Sequence, residues 1–226
     1  ALTRFYAKPN EALFLLIGVG FLGTGVLDGY HTFVTSEHFY AIFPSPNESL
    51  IPWSWIASRL FLSVFMVFSY LNWKKNWNFS SNRAKLYWLS SVATIGAFLF
   101  FAFVPLPQAY YSELFFHRPE EFVPAIFFAI ALYGFYTKGG WKENSFEYWL
   151  VLSLIVNLIA QIFFMSFSGH LFDYEFDMAH LLKKVSYILV LTGLVINMYR
   201  SFKNEVQSNE TNERQNKELI IVKEEA

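Results

Sequence analysis

Six apolar stretches alternate with short polar segments along the chain, at 12–30, 52–73, 86–104, 122–136, 148–167 and 179–199. A bilayer hydrocarbon core roughly 30 Å thick needs about 20 mostly apolar residues in helical form. Lipid offers no partner for backbone N–H and C=O groups, so each stretch is forced into a helix. The fourth is the shortest, and a start near Ala109 stands as its alternative, with Pro119 and Pro124 kinking the helix. The first run is followed by no small-residue cleavage site and carries Glu11 at its edge, so it reads as a span and not a removed signal. The expected fold class is all-α, an integral membrane bundle of about six transmembrane helices over residues 1–200.

Charges between the spans set the expected topology. Lys74, Lys75, Arg83 and Lys85 follow the second span, Lys138 and Lys142 precede the fifth, and Arg200 and Lys203 follow the sixth. Arg4 and Lys8 precede the first, whereas the alternate loops hold only Arg118. Both termini are therefore expected in the cytoplasm. Trp and Tyr mark the interfaces: Tyr30, Trp53, Trp55, Tyr110 and Tyr111 on the outer side, and Trp73, Trp77, Tyr87, Trp88, Tyr136, Trp141, Tyr148, Trp149 and Tyr199 on the inner. Residues 201–226 are polar and rich in helix formers, with Phe202, Val206 and the apolar cluster at 219–222 as anchors. They read as a cytoplasmic connector helix, a weak dimer coiled coil, or a solvated tail.

Composition supports lipid as the solvent. Charged residues make up 15%, against about a quarter in soluble domains, and Phe alone contributes 27 residues. With no cysteine, disulfides, thiolate nucleophiles and Cys-based metal sites are excluded. A net charge of −1 with no basic patch provides no footprint for nucleic acid.

The candidate chemistry gathers on the outer face. All five histidines fall there (His31, His38, His117, His170 and His180), with Asp28, Glu37, Glu48, Glu113, Glu120, Glu121, Asp173, Glu175 and Asp177. Asp28 and His31 close the first span with the same three-residue spacing by which Asp177 and His180 open the last. Residues three apart share a helix face, so Asp28, His31, Asp177 and His180 form a candidate Zn²⁺ or Fe²⁺ set. The plainer alternative is two interfacial caps and two headgroup-level imidazoles. Haem, with His31 and His180 as axial ligands, is a further possibility. Arg59 lies inside the second span, as a clamp for an anionic headgroup or as a structural cation snorkelling or pairing with Asp28 or Glu113. Of the adjacent Lys183 and Lys184, only one can face the bundle centre. The run 112–121, with Glu113, His117 and Arg118, is either a pocket-lining interfacial segment or a charged loop. Asn157 and Gln161 suit interhelical hydrogen bonds. No phosphate loop, G-x-S-x-G, H-E-x-x-H or kinase motif is present.

Leu27-Asp28-Gly29-Tyr30-His31-Thr32, Trp55-Ile56-Ala57-Ser58-Arg59 and Ala179-His180-Leu181-Leu182-Lys183-Lys184, in this order and spacing, resemble the membrane-associated sensor domain family MASE3. The acidic-aromatic run at 113–121 and the stretch at 167–173 share the likeness, which covers the chain to about Phe202. The resemblance implies a regulatory role ahead of a histidine kinase or diguanylate cyclase, in a bacterial inner membrane and as a homodimer. This chain carries no output module, so it is expected to be the sensor part of a longer protein or to signal to a separate partner through residues 201–226. The expected ligand contacts are His31, Arg59, Glu113, His117, Arg118, His180 and Lys184, with a divalent metal, haem, quinone or lipid as ligand. Two rival functions are an intramembrane metal-dependent hydrolase built on the Asp/His set and a small transporter. The latter lacks visible inverted repeats.

Overall fold

The computed structural model describes residues 12–36, 39, 42–75, 83–143 and 145–224, with side chains at 12, 83, 145 and 218–224 excepted. Arg4, Lys8, Glu11, Glu37, His38 and Trp77 lie outside the described residues. Among those described there is no strand, and the long helices are α1 Ala12–Val34, α2 Asn47–Lys75, α3 Arg83–Phe103, α4 Phe122–Lys138, α5 Ser145–Ile159 and α6 Tyr174–Glu224. Five are long and apolar enough to cross a bilayer. The exception, α4, has 17 residues and is preceded by a 3₁₀ turn, Pro119–Glu121. The protein is an integral membrane bundle.

The alternative start of the fourth span near Ala109 is not found, because residues 105–111 are irregular and helix begins only at Pro119. Pro124 is the third residue of α4, where backbone amides have no intrahelical acceptor, so a missing N–H is harmless there. At its far end α4 stops at Gly139, whose φ of 76° is the left-handed conformation that glycine adopts freely. Residues 201–224 continue α6 as one helix without a break.

Helix α2 is the centre of the bundle, packed against α1, α3 and α4, while α5 packs against α4 and α6. Its serines make that position possible. Ser54, Ser58, Ser63 and Ser69 turn their hydroxyls back onto carbonyls three or four residues earlier, leaving a small, satisfied surface for neighbouring helices. Gly20 of α1 faces Phe65, whose Cβ would lie 2.8 Å from an added methyl. Leu15, Met66, Phe128, Phe135 and Phe146 fill an apolar core in one half of the bundle. By contrast α3 lies at the edge, with only 17% of its apolar window buried. The other half of the bundle, where α1 ends and α6 begins, is polar inside.

Candidate functional site

Two helices far apart in the chain meet at the polar end. Lys183 on α6 pairs with Asp28 on α1, Nζ to Oδ1 2.5 Å, and the Tyr187 hydroxyl donates to Asp28 Oδ2 at 2.8 Å. One turn along, His31 and His180 stack with 5.6 Å between ring centroids and 3.3 Å between their Nε2 atoms. The three-residue spacings Asp28–His31 and His180–Lys183 put each group over its counterpart on the opposite helix. Asp173 sets the start of α6: its Oδ1 accepts from the backbone N–H of Phe176 at 2.7 Å, a helix N-cap, and its Oδ2 accepts from Gly169 and His170.

The partners of the two imidazoles dictate their tautomers. Ser54 donates its hydroxyl proton to the Ile51 carbonyl, so it accepts from His31 Nδ1 at 2.8 Å. His180 Nδ1 donates to the Phe176 carbonyl at 2.8 Å. With each Nδ1 donating, a neutral ring at either position leaves its Nε2 as a bare acceptor facing the other. Two lone pairs repel, so the contact favours a hydrogen-bond donor or a cation between the rings.

Trp55 of α2 ties these groups to a third. Read from the sequence as an interfacial aromatic, it is fully buried. Its ring lies 4.3 Å from that of His180, with Lys183 Nζ 4.6 Å from the ring centroid and Arg59 Cζ 5.5 Å from it, and an indole face attracts cations. Arg59 is also fully buried. It donates to Asn157 Oδ1 and, at 3.5 Å, to the Tyr187 hydroxyl, and lies 5.0 Å from the Phe128 ring centroid. These neutral contacts offset the several kcal/mol that a bare cation would cost at that depth. Ser186 donates to the same Asn157 oxygen.

A second polar knot docks the segment before α4. The buried Arg118 pairs with Glu121 and, at 3.3 Å, with Glu120, while it also reaches Met165 Sδ at 2.7 Å. Gln161 donates to Glu121 Oε2 at 2.7 Å from a π turn, Ala160–Phe164, that follows α5. Burial pushes the Glu120 carboxyl up to about 7 and the Tyr110 phenol up to about 12. It raises Glu121 too, although the Arg118 guanidinium pulls the other way.

Of the sequence candidates, His31, His180 and Arg59 lie inside the first core, and Arg118 is buried in the second knot. Asp28 joins the first core as the partner of Lys183. The inward lysine is Lys183 (its neighbour Lys184 is exposed), because adjacent helical residues point about 100° apart. Glu113 and Asp177 are exposed, and His117 is half-buried with Nδ1 2.9 Å from the Phe167 carbonyl. The set Asp28, His31, Asp177 and His180 is therefore not assembled: its two histidines meet, Asp28 faces Lys183, and Asp177 stands apart. Among the described residues no group of three or more His, Asp or Glu side chains converges to hold a metal ion. Contact between the imidazoles also leaves no room for a porphyrin between them in this arrangement. Asn157 and Gln161 make interhelical hydrogen bonds, as their spacing suggested. Tyr187 and Ser54 were not singled out as contacts from the sequence, Glu121 was named only among the outer acidic residues, and Trp55 only as an interfacial aromatic and within a motif.

The family model for MASE3, a membrane-associated sensor domain, matches residues 3–200 of the chain. Neither the curated proteins nor the solved structures give a match.

Proposed function

The chain belongs to the MASE3 family of membrane-associated sensor domains, and on that premise we propose that it binds a small ligand in the polar core between α1, α2 and α6. The resulting movement passes along α6 to a cytoplasmic output module, a histidine kinase or diguanylate cyclase, from a bacterial inner membrane. One observation carries this reading. Helix α6 supplies His180, Lys183 and Tyr187 to the core and then runs unbroken to Glu224. Movement at the core therefore has a rigid path out of the bundle. The Lys and Arg distribution supports cytoplasmic termini.

The facing Nε2 atoms of His31 and His180 favour a ligand that brings a hydrogen-bond donor or a positive charge. Such a ligand switches the domain only by binding two arrangements of α1 and α6 with different affinity. The test joins the chain to a kinase or cyclase reporter and compares wild type with His31→Ala, His180→Ala and, as a control outside the core, Glu113→Ala. Response is expected to vanish in the two histidine variants and persist in the third. An unchanged response in both histidine variants would remove the proposed site. Metal content and an absorption spectrum of the detergent-purified protein then identify the class of ligand.

A further inference from the structure

Away from the polar core, α3 touches α1 closely but stands off from α2. A methyl on Gly23 of α1 would lie 2.6 Å from the Thr94 hydroxyl of α3. Between α2 and α3, by contrast, a groove of about 430 Å³ stays open, lined by apolar side chains alone. Ala57 on α2 and Ala93 and Ala97 on α3 are too short to fill it. The groove runs from Ala57 to Phe68 along α2 and from Leu86 to Phe101 along α3. At 1.5 Å per residue these are about 16 Å and about 22 Å. One leaflet of a hydrocarbon core roughly 30 Å thick is about 15 Å deep, so the groove has the length of a single acyl chain.

One end of the groove is marked by positive charge. Lys75 follows Phe68 by seven residues, two turns along the same face of α2, and Lys85 precedes Leu89 by four, one turn along the same face of α3. Both lysines are exposed. From Ser49 to Ser112 the sequence holds no Asp or Glu, so neither α2 nor α3 brings a carboxylate of its own to this end. Apolar walls accept the tail of any lipid, whereas two cations at the mouth select the headgroup. We propose that the groove holds one anionic phospholipid, with an acyl chain between α2 and α3 and its phosphate at Lys75 and Lys85. Basic pockets between membrane helices bind anionic headgroups. The lipid fills a gap that the protein's own side chains leave, beside a helix whose apolar window is only 17% buried. The site is separate from the polar core and does not depend on what that core binds.

The test offers the full chain, purified in detergent, phosphatidylglycerol or phosphatidylethanolamine with identical acyl chains, and counts bound lipid by native mass spectrometry. Wild type is expected to retain one phosphatidylglycerol several-fold more than phosphatidylethanolamine. Lys75→Gln with Lys85→Gln, a surface change that leaves the packing alone, should bring the two lipids to the same level. Ala93→Trp fills the groove and should lower retention of both. Equal retention of the two lipids by wild type overturns the proposal. So does a preference that survives in the double lysine variant, or unchanged retention in Ala93→Trp. Should Ala93→Trp fail to fold, the lysine comparison decides.

Discussion

Replacing Asp28 by Asn keeps the shape of the side chain and an oxygen for Tyr187, but removes the charge facing Lys183. Only 10% of the Lys183 and 21% of the Asp28 side chain is exposed, so the ammonium left behind has little access to water. Breaking a buried pair from one side costs about 3–5 kcal/mol, and partial exposure puts this one near the lower end, about 3 kcal/mol. Lys183→Met strands the carboxylate instead and is expected to cost a similar amount. The double variant strands neither charge and should lose no more than either single one, giving a coupling of about 3 kcal/mol. Equilibrium unfolding in mixed detergent micelles measures all four proteins on one scale. As a second readout, each single variant should melt roughly 6–12 °C lower, at the 2–4 °C per kcal/mol of a chain this long. Additive losses in the double variant would refute the reasoning, since the two side chains would then act separately and α1 would not be tied to α6 through them.

Trp55→Ala should cost about 3–5 kcal/mol, because a fully buried indole leaves a cavity. Trp55→Phe should recover most of it, both read by the same micelle unfolding. Gly193→Ala brings a methyl 2.7 Å from the Trp149 Cβ, an atom that cannot swing aside. About 1–3 kcal/mol of overpacking between α5 and α6 is expected in the same assay. Glu120 makes stability depend on pH. Its folded carboxyl sits at about 7 against an ordinary 4.5, so the folded protein holds this proton more tightly than the unfolded chain. Its stabilising effect is complete below about 4.5 and is lost as pH rises through about 7. Unfolding measured across that window should slope downward in wild type and flatten in Glu120→Gln, and an unchanged slope would assign it to other groups.

Some of the core was legible because it follows a helical period. Phe176, Ala179, Lys183, Ser186, Val190 and Gly193 are spaced three and four apart and all buried. Extending that stripe backwards from Gly193 selects Lys183 over Lys184, a choice left open when the two lysines were judged alone. The expected meeting of Asp28 and His31 with the start of α6 is found. Its chemistry differs from expectation because a carboxylate takes its nearest cation, Lys183, in preference to a shared point with two imidazoles. Arg118 read as a candidate ligand contact in a run that is either a pocket-lining segment or a charged loop, since nothing local shows that Glu121 and Met165 close around it.

From composition and period alone follow the membrane, the helices and their approximate ends, because lipid demands long apolar helices and a helix repeats every few residues. Which atoms meet is another matter. Asp28 and Lys183 are 155 residues apart, and the order in which helices surround α2 decides that contact. Packing alone placed Trp55 between two cations and set His31 against His180. These contacts depend on which helices lie side by side and at what height, and the pattern of polar and apolar residues along a single helix carries no record of that.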